Sequence, residues 1–187
     1  MKRSDIYRLV LAALFLAIGI VLPFLTMQVK EIGSMLLPMH LPVFLCGLIC
    51  GWKYGLAVGA ILPIMRSLMF GMPMLYPSAV AMAFELATYG LVVGLVFFLF
   101  RKKNLITLYA ALLISMVAGR AVWGCVTAIL LGISGSAFTF SAFLAGALLN
   151  AIPGIILQLI LIPSVMLILG RFRIVRMGIR CSGDGEA

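Results

Sequence analysis

The sequence predicts an all-α integral membrane protein: a single membrane domain over residues 1–187, built as a six-transmembrane-helix bundle with cytoplasmic N- and C-termini. Three observations carry this. Of the 187 residues, 65% are hydrophobic and only 10% are charged, whereas a soluble domain carries about 25% charged residues. The apolar residues fall in runs long enough to cross a bilayer, which takes roughly 20 residues of helix. The net charge of +9 is gathered in short basic clusters between those runs, the pattern of topology determinants. No basic stripe interleaved with aromatics appears, so the composition speaks for a lipid bilayer as the partner and against nucleic acid.

The spans are expected at about 7–25, 36–51, 54–70, 78–100, 105–131 and 140–169. The first follows Met1-Lys2-Arg3 as a signal peptide would, but no small-residue cleavage site follows it. The run passes through Pro23-Phe24-Leu25 into Lys30-Glu31, so a retained span is expected. The second is short and contains Pro38 and Pro42. Gly51-Trp52-Lys53 separates it from the third, and Gly71-Met72-Pro73 ends the third. The fourth stops at Arg101-Lys102-Lys103-Asn104, and the fifth at the stretch from Gly132 to Thr139. The sixth is long and carries Pro153, where a kink or a partly looped start is expected.

Alternate crossing from an inside N-terminus sorts the charges. Lys2, Arg3, Arg8, Lys53, Arg101, Lys102, Lys103, Arg171, Arg173, Arg176 and Arg180 fall inside, against Lys30 alone outside. That is a strong positive-inside bias. The same topology gives the remaining ionisable residues a depth. Arg66 lies near the outer end of the third span, Glu85 about two turns below the outer surface on the fourth, and His40 near the outer boundary on the second. Arg120 and Asn150 fall near mid-membrane. A charge at a helix centre costs about 2.5–3.5 kcal/mol on insertion scales, so these residues should face protein or a cavity. Spacing agrees: Arg120, Trp123, Gly124 and Thr127 share a helical face, as do Gly146, Asn150, Gly154 and Gln158, and Glu85 shares one with Met82, Thr88 and Tyr89.

Two readings of these charges stand side by side. Glu85 can neutralise Arg66 or Arg120 in a buried pair that only fixes helix register. Alternatively, two arginines against one intramembrane carboxylate leave an excess cation, suited to an anionic or strongly polar ligand with Trp123 and Tyr89 to stack on it. His40, the only histidine, reads equally as an interfacial hydrogen-bonder. Small-xxx-small pairs at Ala13/Ala17, Gly47/Gly51, Gly55/Gly59 and Gly90/Gly94 favour close helix packing.

Other chemistries find little support. Cys46, Cys50, Cys125 and Cys181 form no disulfide framework, and with one histidine no metal site is expected. No phosphate-binding loop of the Gly-x-x-x-x-Gly-Lys-Ser/Thr type is present. Gly132-Ile133-Ser134-Gly135 matches the Gly-x-Ser-Gly of intramembrane serine proteases, but Ser134 is expected in an outer loop and His40 lies on another span.

Several stretches resemble a known family. They are Leu36-Leu37-Pro38-Met39-His40-Leu41-Pro42-Val43 running on through Gly47 to Gly51, then Gly71-Met72-Pro73. Met82-Ala83-Phe84-Glu85-Leu86-Ala87-Thr88-Tyr89-Gly90 and Leu149-Asn150-Ala151-Ile152-Pro153-Gly154 follow in order. Together they resemble the substrate-binding S components of energy-coupling factor (ECF) vitamin transporters. The resemblance implies an outward-facing pocket whose positions correspond to Met72, Glu85, Arg120, Trp123 and Asn150. His40, Arg66 and Tyr89 join that set from the depth and face arguments above. It also implies association with a transmembrane coupling subunit, to which Ala13 and Ala17 of an Ala-x-x-x-Ala pattern correspond, and with two cytoplasmic ATPases. ATP would then be used by the partners, with no cofactor in this chain.

The expected function is therefore a high-affinity S subunit, not an enzyme, in the plasma membrane of a bacterium, taking up a small organic micronutrient of the B-vitamin kind or a precursor. A standalone secondary transporter is the rival reading, although no convincing inverted repeat is present. The topology is testable by fusing a reporter active only outside the cell. It should be active after Lys30 and Met72, and inactive after Asn104 and at the C-terminus.

Overall fold

A computed structural model describes residues 3–26, 39–71, 73–100, 104–133 and 152–171. The helices are α1 (Arg3–Thr26), α2 (His40–Ile49), α3 (Trp52–Phe70), α4 (Val80–Leu99), α5 (Leu105–Ile133) and α6 (Ile152–Arg171). A π-helical turn over Leu75–Ala79 leads into α4. No strand occurs among the described residues. Among the described residues, four stretches are long and apolar enough to cross a membrane: Asp5–Pro23, Trp52–Phe70, Leu75–Leu99 and Leu105–Gly132. The apolar helices His40–Ile49 and Gly154–Leu169 are shorter.

The second expected span, 36–51, thus holds a ten-residue helix, about 15 Å of rise against the roughly 30 Å of a bilayer core. Every residue of α2 from Pro42 to Leu48 is buried, as befits a helix apolar on all sides. Pro42 sits in its first turn, where no intrahelical donor is lost. Pro153 likewise falls in the first turn of α6, and residues 140–151 of the sixth expected span lie outside the described residues. Pro23 and Pro63 are inside α1 and α3.

Glycines set the geometry of the centre. Gly51 (φ 102°) precedes α3 and Gly71 (φ 68°) closes it, left-handed conformations that residues with a Cβ rarely adopt. Between them, α3 runs antiparallel to α4 with their backbones touching. A Cβ at Gly55 would lie 2.7 Å from the Gly90 carbonyl oxygen, and one at Gly90 would meet the Gly55 carbonyl. A turn to either side, Gly59 abuts the Leu86 backbone and Gly94 the Trp52 backbone. Gly47 brings α2 onto the same seam, its Cβ position 2.6 Å from the Gly90 oxygen. The small-xxx-small pairs of these three helices are packing devices, as small residues commonly are between membrane helices.

The core built around this seam draws on Phe44 and Leu48 of α2, Leu62 of α3, and Leu86 and Phe97 of α4. Leu108 and Leu112 of α5 and Ile162 and Met166 of α6 complete it. On α1, Ala12 is buried and Gly19 lies against Leu62. Ala13, Leu14, Ala17 and Ile18 face outward. Substituting Gly55 or Gly90 by leucine should lower the thermal unfolding midpoint in detergent, each costing at least the ~1–3 kcal/mol of core overpacking. Gly132→Leu, at a position with no described residue within 4 Å, should leave it unchanged.

Candidate functional site

Side chains from three helices converge on one carboxylate oxygen. Glu85 on α4 is 2% exposed. Its Oε1 lies 3.1 Å from Arg120 Nη1 of α5 and accepts a hydrogen bond of 2.7 Å from the Tyr89 hydroxyl. His40 Nε2, at the start of α2, is 3.8 Å away, within reach of an electrostatic contact but too far for a hydrogen bond. Glu85 and Tyr89 meet because residues four apart share a helix face.

The Tyr89 ring is the hub of the apolar surroundings. It stands 5.4 Å from the His40 ring at 55°, and 5.0 Å from the Phe44 ring at 32°. Its edge rests on Gly119, where any Cβ would run into the ring. The missing side chain lets α5 come close enough for the next residue, Arg120, to reach Glu85. One helical step further along α5, Trp123 is half-buried, while Gly124 and Thr127 on the same face are buried.

His40 is 1% exposed, and among the described residues neither ring nitrogen has a hydrogen-bond partner. A buried polar atom left unsatisfied costs about 1–3 kcal/mol, so a ligand able to complete these bonds would be favoured. Arg66, near the end of α3 and 5% exposed, approaches the cluster from another side. Its Nη1 lies 3.7 Å from the thioether sulfur of Met39, the residue preceding His40.

The structure therefore brings together His40, Glu85, Tyr89 and Arg120, with Arg66 adjoining through Met39 and Trp123 next along α5. Met72 and Asn150 lie outside the described residues, as do Gly146 and Ser134. Glu85 takes Arg120 as its ionic partner. Thr88 departs from the shared face expected for it: its hydroxyl donates to the Phe84 carbonyl at 2.7 Å. Three residues on from Glu85 turns the helix to about 60° short of it, whereas Tyr89 lies about 40° past it, and the cluster is on the Tyr89 side. Met39, Phe44 and Gly119 were missed. Nothing in an apolar run marks which Met or Phe will touch a polar group, although a glycine directly before an intramembrane arginine is a usable hint. Among the described residues, no group of three His, Cys, Asp or Glu side chains gathers as a metal site would require.

Fold and site together define a multi-pass, all-helical membrane protein with a buried polar cluster. The model of the family described as ECF transporter, substrate-specific component, matches residues 7–166. The chain belongs to this family, whose members are substrate-binding components of transporters rather than enzymes. No curated protein and no solved structure matches it.

Breaking a buried ion pair from one side strands the other charge, at about 3–5 kcal/mol when both are fully buried. With Arg120 16% exposed, Glu85→Ala should cost up to that amount in unfolding free energy. Glu85→Ala combined with Arg120→Ala should cost less than the sum of the singles, and the double-mutant cycle measures the coupling.

Proposed function

We propose that this chain is the high-affinity substrate-binding subunit of an ATP-driven ECF importer, and that it takes up a small organic micronutrient of the B-vitamin kind or a precursor. In this reading it spans the plasma membrane of a bacterium six times, with both termini in the cytoplasm, and works with a transmembrane coupling subunit and two ATPases. The observation that carries the reading is the polar cluster of Glu85, Arg120, Tyr89 and His40 in a chain of this family. A cluster that only fixed helix register would not favour an imidazole whose two nitrogens have no partner among the described residues.

The roles follow from chemistry. Arg120 and Arg66 attract anionic or polar groups of the solute, with Glu85 holding Arg120 in place through a charge-assisted bond. His40 completes its hydrogen bonds on the ligand, Trp123 stacks on it, and Tyr89 positions Glu85. Met72 and Asn150 complete the proposed set from the resemblance. The excess of positive charge leans toward a carboxylate-bearing solute, with a neutral pyrimidine or pyridine alcohol as the other choice. On α1, the outward-facing Ala13 and Ala17 give the coupling subunit a point of close backbone approach. ATP is bound and hydrolysed by the partners.

The test is uptake in cells that express the coupling subunit and ATPases. Wild type should accumulate the vitamin retained by the purified protein, and accumulation should stop when the ATPases are omitted. Uptake undiminished without them would make the chain a secondary carrier. Arg120→Ala should weaken binding by at least tenfold, about 1.4 kcal/mol. Unchanged affinity in folded Arg120→Ala and His40→Ala would remove the cluster from the binding site. Replacing Ala13 and Ala17 by leucine should abolish co-purification with the coupling subunit and leave solute affinity intact.

A further inference from the structure

A crevice of about 500 Å³ opens at the end of the bundle opposite the Glu85 cluster. Its walls include Asp5 and Arg8 of α1, Trp52, Lys53 and Tyr54 of α3, and Phe98 of α4. Asp5, Trp52 and Leu99 are each the terminal residue of an apolar span, so the crevice sits at the level of the membrane surface. The Tyr54 hydroxyl reaches the backbone carbonyl of Asp5 at 3.5 Å and links α1 to α3.

Among the described residues, no ion pair neutralises the charges in it. Arg8 and Lys53 are exposed, and the ion pairs found among the described residues are those at Glu85. Asp5, in the same wall, pairs with neither base. Lys53 Nζ stands 5.5 Å from the centroid of the Trp52 ring, a cation–π contact that restrains the ammonium beside the crevice. Two bases against one carboxylate leave one net positive charge, with aromatic surface from Trp52 and Phe98 alongside. That combination matches a single negative charge on a group that also carries hydrocarbon.

We propose that this crevice binds a phosphate monoanion, namely the phosphodiester headgroup of an anionic phospholipid in the adjacent leaflet. Arg8 and Lys53 engage the phosphate, Trp52 lies at headgroup depth as interfacial tryptophans do, and Phe98 lies along the upper acyl chain. Asp5 disfavours a second negative charge. Because the crevice joins the starts of α1 and α3 to the end of α4, a bound lipid would link three helices at this end.

The chain has two tryptophans, so Trp123→Phe leaves Trp52 as the single reporter. The full chain carrying this change is reconstituted in phosphatidylcholine vesicles, and quenching by acyl-brominated phosphatidylglycerol is compared with that by acyl-brominated phosphatidylcholine. Phosphatidylglycerol should quench more strongly at equal mole fraction. Arg8→Gln and Lys53→Gln should each raise the fraction needed for half-maximal quenching about fivefold, while Arg8→Lys retains the preference. Relief of the quenching by inorganic phosphate would keep the phosphate site but assign it to a soluble ligand. Equal quenching by the two lipids would overturn the proposal. So would a preference that survives both glutamine substitutions, since it would then belong to the general positive charge of this end.

Discussion

A carboxylate enclosed by protein within an apolar bundle must be compensated, and the neighbourhood of Glu85 is organised by that requirement. Taking an ion out of water costs several kcal/mol even after relaxation. Glu85 is 2% exposed, so the compensation has to come from neighbouring side chains. It comes from α5 through Arg120 and from its own helix through Tyr89, with His40 of α2 beside them. One charge thereby ties the register of three helices together. The arrangement also requires Gly119, because a side chain there would hold α5 away from the Tyr89 ring.

A second constraint works beside the first. The α2, α3 and α4 backbones touch through Gly47, Gly55, Gly59, Gly90 and Gly94, so dispersion contacts between main chains hold the centre. This rigid seam carries Glu85 and Tyr89 on α4, and His40 at one end of α2. It places α1 at the outside, with Ala13 and Ala17 turned away from the protein. A substrate-binding component that has to dock on other membrane subunits needs both properties: a fixed polar site and an outward face where small residues let a partner helix approach.

The two ends of the bundle differ in kind. One carries the buried Arg66 and His40 beside the Glu85–Arg120 ion pair. The other carries Arg8 and Lys53, exposed in the wall of a crevice. A buried charge in a low dielectric acts strongly over a few ångströms, whereas an exposed one is screened by solvent and salt. The first end is therefore suited to specific recognition of a solute, and the second to orientation and surface attraction.

Much of the helical architecture was legible because apolar run length and glycine punctuation are local properties. Gly51 and Gly71 bound α3 where the sequence places its breaks, and α4 ends one residue before Phe100, just short of the basic cluster. Of the second span the described part is the ten-residue α2, and hydropathy alone does not tell a buried helix of that length from part of a crossing, since both are apolar throughout. For the site, the cost of intramembrane charge was enough to single out Arg66, Glu85 and Arg120. Helical spacing added Tyr89, and depth added His40. What only the tertiary structure decided is which arginine neutralises Glu85, that Thr88 turns aside to its own backbone, and that Met39, Phe44 and Gly119 complete the surroundings. Those outcomes depend on how closely α2, α4 and α5 approach and how they are rotated. That is set by small residues meeting across helices far apart in the chain, a relation no local pattern contains.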